Sequence, residues 1–120
     1  MQKYRPNSVY VSVKDMDRAV DFYEKLFGKK ADSLSERYSE FHFENIGLGL
    51  YNPSVDGDRA VYGTNCVINF EIEDAEKEYE RIKKIAPKID DEIMDLGEMN
   101  LFQFKDTEGN LLEVYAQKNK

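Results

Sequence analysis

The chain has no tryptophan, one cysteine, one histidine and only three prolines among its 120 residues. No apolar run approaches the roughly 18 residues that a bilayer-crossing helix needs. The opening MQKYRPNSVYVSV holds two basic residues but no apolar stretch leading to a small-residue cleavage site, so a cytoplasmic location is expected. A lone thiol, Cys66, cannot close an internal disulfide, which suits a reducing compartment. Cys66 opens the apolar run Cys66–Val67–Ile68 and reads as a small buried hydrophobe, because a nucleophilic role would need a base or cation beside it. Gly-rich phosphate loops, Cys-x-x-Cys pairs and His-Glu-x-x-His motifs are all missing. Positive charge is in short supply as well: 17 basic residues face 24 acidic ones, for a net charge of −7, and the basic residues form no stripe. Nucleic acid and anionic membrane are therefore poor partners.

What is present suits a folded domain. Hydrophobic residues make up 41% and charged residues 34% of the chain, a globular balance at a length that supports one core. Ser8–Lys14 alternates strictly, with Val9, Val11 and Val13 on one side and Ser8, Tyr10 and Ser12 on the other, and predicts a half-buried strand. Asp15 stands at a helix N-cap position before MDRAVDFYEKLFG. In that segment Met16, Ala19, Val20, Tyr23, Leu26 and Phe27 recur at helical spacing, and Gly28 follows as a stop. Strand candidates are Lys30–Arg37, Ser39–Glu44 and Leu48–Tyr51, the last ended by Asn52–Pro53. Ser54 to Asn65 reads as a polar loop.

The pattern then restarts. Val67–Ile72 predicts a strand and Asp74 a cap. Ala75, Tyr79, Ile82 and Ile85 mark the inner face of a helix that stops before Pro87. Lys88–Asp95, Met99–Lys105 and Leu111–Gln117 predict three more strands, with Gly97 and Asp106–Asn110 as turns. This is an internal repeat of roughly sixty residues. Placing Asp15 on Asp74 sets Val9, Val11 and Val13 on Ile68, Phe70 and Ile72, and Leu48–Tyr51 falls on Leu112–Tyr115. The expected fold is α+β, a single domain over 1–120 made of two βαβββ modules at about 8–52 and 66–117.

Two segments carry a family resemblance. VYVSVKDMDRAVDFYEKLFG has a strand, an Asp-led helix with the Phe22–Tyr23 pair and a closing Leu-Phe-Gly. FKDTEGNLLEVYAQ has an Asp-x-x-Gly-Asn turn leading to a strand with a glutamate. They resemble the opening and the close of glyoxalase / bleomycin-resistance / dioxygenase (vicinal oxygen chelate) proteins. The resemblance implies an open, cup-like mixed sheet, commonly completed by homodimerisation. In many members of that family His and Glu on the first and last strands of the modules hold one divalent metal, which acts as a Lewis acid. Carried over residue by residue, those positions fall on Ser8, Gly49, Val67 and Glu113, and only Glu113 keeps a ligand-type side chain. Adding His42 would give two ligands, short of the three or more that such sites use. No cofactor and no divalent metal are expected.

Strand parity lists the cup lining: Ser8, Tyr10 and Ser12; Gly47, Gly49 and Tyr51; Val67, Asn69 and Glu71; Leu101 and Gln103; Leu111, Glu113 and Tyr115. Tyr10, Tyr51 and Tyr115 could stack on a planar ligand, while Asn69, Gln103, Glu71 and Glu113 could orient it and favour cationic or hydrogen-donating groups. The same tyrosines equally suit sheet packing or a dimer seam. Glu40 and Glu44 place His42 on a solvated face. Three functions follow. The first is a metal-independent small-molecule binding protein. The second is a lyase or isomerase of the glyoxalase type with Glu113 as base and an atypical metal site. The third is a partner-binding module with a filled cup.

Overall fold

The computed structural model describes residues 3, 7–59, 62–63 and 66–118. The chain divides into two compact units, Met1–Val61 and Tyr62–Lys120.

In the first unit β1 (Ser8–Ser12) leads into α1 (Met16–Phe27), followed by β2 (Tyr38–His42) and β3 (Gly47–Tyr51). The strand order is β1-β3-β2, with β1 parallel and β2 antiparallel to β3. Asp15 caps α1: its carboxylate accepts the Arg18 amide at 3.0 Å, satisfying a first-turn donor that the helix leaves open. Gly28 ends the helix at φ 67°, where its amide donates to the Glu24 carbonyl. The alternation expected of β1 is present, with Val11 and Val13 buried and Tyr10 56% exposed. Met16, Ala19, Tyr23 and Leu26 bury against the same side as Phe41, Leu48 and Leu50, and Phe27 meets Phe41 and Phe43 at ring distances of 5.3 and 5.0 Å. Burying each such side chain fully is worth about 1.5–3 kcal/mol.

The second unit repeats this plan. β4 (Ile68–Glu71) precedes α2 (Ala75–Lys83), then β5 (Lys88–Ile89), β6 (Met94–Asp95), β7 (Met99–Lys105) and β8 (Leu111–Gln117). The order is β4-β8-β7-β5, with β6 also on β7. Asp74 caps α2 through the Lys77 amide at 3.1 Å, and Ala75, Tyr79 and Ile82 are buried.

Three expectations need correction. Lys30–Arg37 is not a strand; it makes one bridge, Ser33 with Glu40. The Ser35 and Ser39 hydroxyls take the local backbone groups instead. Ser35 Oγ bonds the Tyr38 amide and carbonyl, and buried Ser39 Oγ bonds the Ser35 amide and carbonyl. Lys88–Asp95 forms two short strands rather than one. β5 pairs Ile89 with Phe104 and β6 pairs Met94 with Leu101, a register change of two residues that leaves a bulge between them. Asp90 pins that bulge, its carboxylate accepting the Gln103 amide at 2.7 Å. Cys66 is exposed rather than buried, because it lies in a bend before β4 begins. The polar loop contains a 3₁₀ helix at Pro53–Asp56, and its Ala60, Val61, Thr64 and Asn65 lie outside the described residues.

The turn between β7 and β8 is built on buried polar groups. Asp106, 1% exposed, accepts the Glu108 and Asn110 amides at 2.8 Å each and the Asn110 side-chain amide at 3.0 Å. Asp106→Ala leaves those donors without an acceptor and should cost about 3 kcal/mol. Asp15→Ala, at an exposed cap, should cost about 1 kcal/mol. Urea unfolding of the two variants checks the order, and equal losses would show that the turn carries no special weight.

Candidate functional site

Each sheet packs its helix on one face and presents the other as an open face. The pairing register fixes what lies at the centre of that face. In the first unit the middle row is Tyr10–Gly49–Glu40 across β1, β3 and β2. In the second it is Asn69–Glu113–Gln103 across β4, β8 and β7. The rows correspond position for position, so Gly49 and Glu113 are structural equivalents within their units.

Glu113 is half-buried and held from both sides. Asn69 Nδ2 donates to Oε1 at 2.5 Å, and Gln103 Nε2 donates to Oε2 at 3.0 Å. Two neutral amides thus fix the carboxylate while each oxygen keeps further acceptor capacity. Tyr115 and Glu71, paired across β8 and β4, lie one step along the same face.

The first unit is aromatic where the second is amidic. Gly49 is buried under Tyr38: a Cβ added there would come within 1.8 Å of the Tyr38 hydroxyl. Tyr10 meets the Tyr38 ring at 6.2 Å and the Tyr51 ring at 5.8 Å, both edge-on. Burial, then the charge of Glu40, raises the Tyr38 pKa. Tyr51 is tied down at its far end, where its hydroxyl donates to Asp56 at 2.8 Å and to Asp58 at 3.2 Å. The Arg37 guanidinium lies 5.5 Å from the Tyr51 ring centre and also bonds both Asp56 oxygens. The bond to Asp56, with desolvation and the nearby carboxylates, pushes the Tyr51 phenol up to about 12. The same hydroxyl, then Arg37, holds Asp56 below its ordinary value.

The expected lining residues fall into two groups, one per unit. Asn69, Gln103 and Glu113 form a bonded trio, and Tyr10 and Tyr51 touch. Ser8 is exposed and Ser12 half-buried at the edge of the tyrosine cluster. His42 is exposed, with Nε2 at 3.7 Å from Glu40, as a solvated face requires. Tyr38 was not among the expected residues. The parity that lists Glu40 and His42 includes it, but a strand starting at Ser39 leaves it out.

The family's metal positions do not fit an ion. Gly49 supplies no donor and its space is filled, Val67 supplies none, and Ser8 offers a neutral hydroxyl. Among the described residues no three His, Cys, Asp or Glu side chains are grouped so as to hold a metal.

The sequence profile of the Glyoxalase/Bleomycin resistance protein/Dioxygenase superfamily matches residues 5–114, and the chain belongs to that family. No curated protein sequence matches it. Among solved structures, it is similar to a glyoxalase/bleomycin resistance protein/dioxygenase from Nocardioides (14% identity, TM-score 0.77, covering 100% of this chain and 88% of that one). A glyoxalase/bleomycin resistance protein from Albidiferax ferrireducens is similar too (18% identity, TM-score 0.75, 92% and 98% covered). So is a lactoylglutathione lyase from Agrobacterium tumefaciens (17% identity, TM-score 0.72, 97% and 97% covered). These likenesses establish the α+β fold.

Two measurements test the first unit's cluster. Gly49→Ala should destabilise by about 1–3 kcal/mol by driving Tyr38 off the strand. Adding Tyr38→Ala should recover part of that loss, whereas strictly additive effects would mean the two positions do not compete for space. In an ultraviolet pH titration one tyrosine should ionise near pH 12, and Asp56→Asn should bring it back toward 10.0. The sign is fixed: a raised Tyr51 pKa supports the fold below pH 10, and that support is lost as pH climbs toward 12. The lowered Asp56 pKa acts at the other end, with support present above 3.8 and lost as pH falls.

Proposed function

We propose that this chain is a metal-independent small-molecule binding protein of the glyoxalase/bleomycin-resistance type. Its ligand is partly aromatic and carries a cation or several hydrogen-bond donors. One observation carries the reading: the carboxylate at the retained family position, Glu113, is clamped by Asn69 and Gln103, while Tyr38 fills the space at its counterpart Gly49. A carboxylate fixed by neutral donors has no counter-ion within its trio and can accept a ligand's N–H groups by charge-assisted bonds. The exposed Tyr10 ring offers a stacking or cation–π surface. Ser8 and Ser12 border the tyrosine group within the first unit, and Glu71 and Tyr115 border the held carboxylate within the second.

The same reading takes the two modules as one domain that acts as a cytoplasmic homodimer. Membership in a family whose members are commonly dimeric supports that assembly, and among the described residues no helix is long and apolar enough to cross a membrane.

The test is a thermal-shift screen over cationic aromatic antibiotics and metabolites, with metal analysis of protein grown in metal-replete medium. A binding compound raises Tm. Glu113→Gln should weaken a compound held by the second unit's carboxylate by about tenfold, since a bond to a charged group is worth about 1.5–3 kcal/mol. Tyr10→Ala tests the first unit's ring separately, where a cation–π contact is worth about 0.5–2 kcal/mol. Stoichiometric zinc, nickel or manganese that Glu113→Gln removes would overturn the reading in favour of a lyase or isomerase. A screen without any hit would favour a partner-binding module.

A further inference from the structure

A concave surface lies within the first unit, on the helix side of its sheet. A groove of about 340 Å3 runs between α1 and the segment around Leu34. Its apolar lining is Met16, Val20 and Leu34, and Leu34 stands 66% exposed. A leucine that exposed, beside a concavity already walled by apolar side chains, is a small apolar anchor point. The rest of the lining is acidic apart from Ser35 and Ser39. Asp17, Asp21 and Glu24 follow one another at helical spacing along α1, and Glu36 faces them from the other wall. Among the described residues no basic side chain lines the groove. Asp21 is paired with Lys25 at 3.0 Å, and Glu24 is engaged by Lys30 and by the Ala31 amide. Among the described residues Asp17 and Glu36 have no such partner, so one unneutralised carboxylate stands on each wall of the groove.

We infer that this groove docks a basic segment of a partner protein, one apolar side chain entering between Met16, Val20 and Leu34 while flanking cations meet Asp17 and Glu36. Charge complementarity selects the occupant. An acidic or phosphorylated segment would be repelled, and a neutral apolar one would leave the two carboxylates unmatched. The groove belongs to the face opposite the Gly49 row, so this inference does not depend on the small-molecule reading.

The experiment is an amide NMR titration of the full chain with a short synthetic peptide carrying leucine between arginines. The expected result is saturable shifts confined to residues 16–24 and 34–36. The Asp17→Lys/Glu36→Lys double variant should bind about tenfold more weakly, as loss of two exposed charge pairs implies. Leu34→Ser should weaken binding while leaving the rest of the spectrum in place. All three positions lie at the surface, so folding is retained. The inference is overturned if the peptide leaves those residues unshifted at millimolar concentration. It is overturned equally if the charge-reversed variant binds as well as the parent, or if an arginine-only peptide binds as tightly, which would reduce the groove to a generally acidic surface.

Discussion

Parallel strands cannot be joined by a tight turn; the chain must travel back along the sheet before the second strand can pair with the first. In both units α1 or α2 makes that return, and in both an aspartate caps the helix directly after the first strand. The return lets β1 meet β3 and β4 meet β8 in a fixed register. Because side chains alternate with period two, a slip of one residue would exchange the core row for the open row. Val11, Leu48 and Leu50, or Leu112 and Val114, would then face water, and the cost of exposing them locks the register. Everything on the open faces is positioned by this constraint on the opposite side.

With the register locked, the middle row of each sheet becomes a place where chemistry can change without disturbing the core. The two units have used it differently. One keeps a carboxylate and flanks it with Asn69 and Gln103; the other has no side chain at Gly49 and lays Tyr38 across the vacancy. Glycine is required there by space rather than by backbone angle, because its φ is not positive and the obstruction is the Tyr38 phenol. The tyrosine cluster is braced from outside by Asp56, which sits on the 3₁₀ helix directly after β3 and binds both Tyr51 and Arg37.

Much of this was legible in the chain. Valines at 9, 11 and 13, the cap residues Asp15 and Asp74 and the stop at Gly28 are local signals that packing reinforces, and β7 and β8 span the expected residues. The alignment of Gly49 on Glu113 needed only the repeat and is reproduced by the strand pairing. What failed depended on competition that a periodicity cannot show. At Ser35 and Ser39 side-chain hydroxyls outbid a ladder, and at Asp90 a carboxylate pins a bulge inside an otherwise plausible strand. Tyr38 escapes a periodicity that starts the strand at Ser39, one residue inside the observed Tyr38–His42, because pattern marks the ends of elements poorly. The brace on Tyr51 comes from a segment that reads as plain loop, so its engagement carried no sequence signal.

The contrast between the two middle rows bears on why Glu113 keeps its charge-bearing oxygen atoms. A metal ligand must compete with water for an ion, and a lone carboxylate does that poorly. A carboxylate oriented by two amides is a different device. Its geometry is set in advance, so under the binding reading proposed above a ligand's donors would meet fixed acceptors and little ordering would be left for the binding event. Replacing Asn69 or Gln103 by an apolar residue would free the carboxylate to rotate without changing its charge. That separates orientation from electrostatics. If fixed orientation is what the trio supplies, such a change should weaken a ligand through loss of geometry while its salt dependence stays the same, because the charge that draws a cation is still in place.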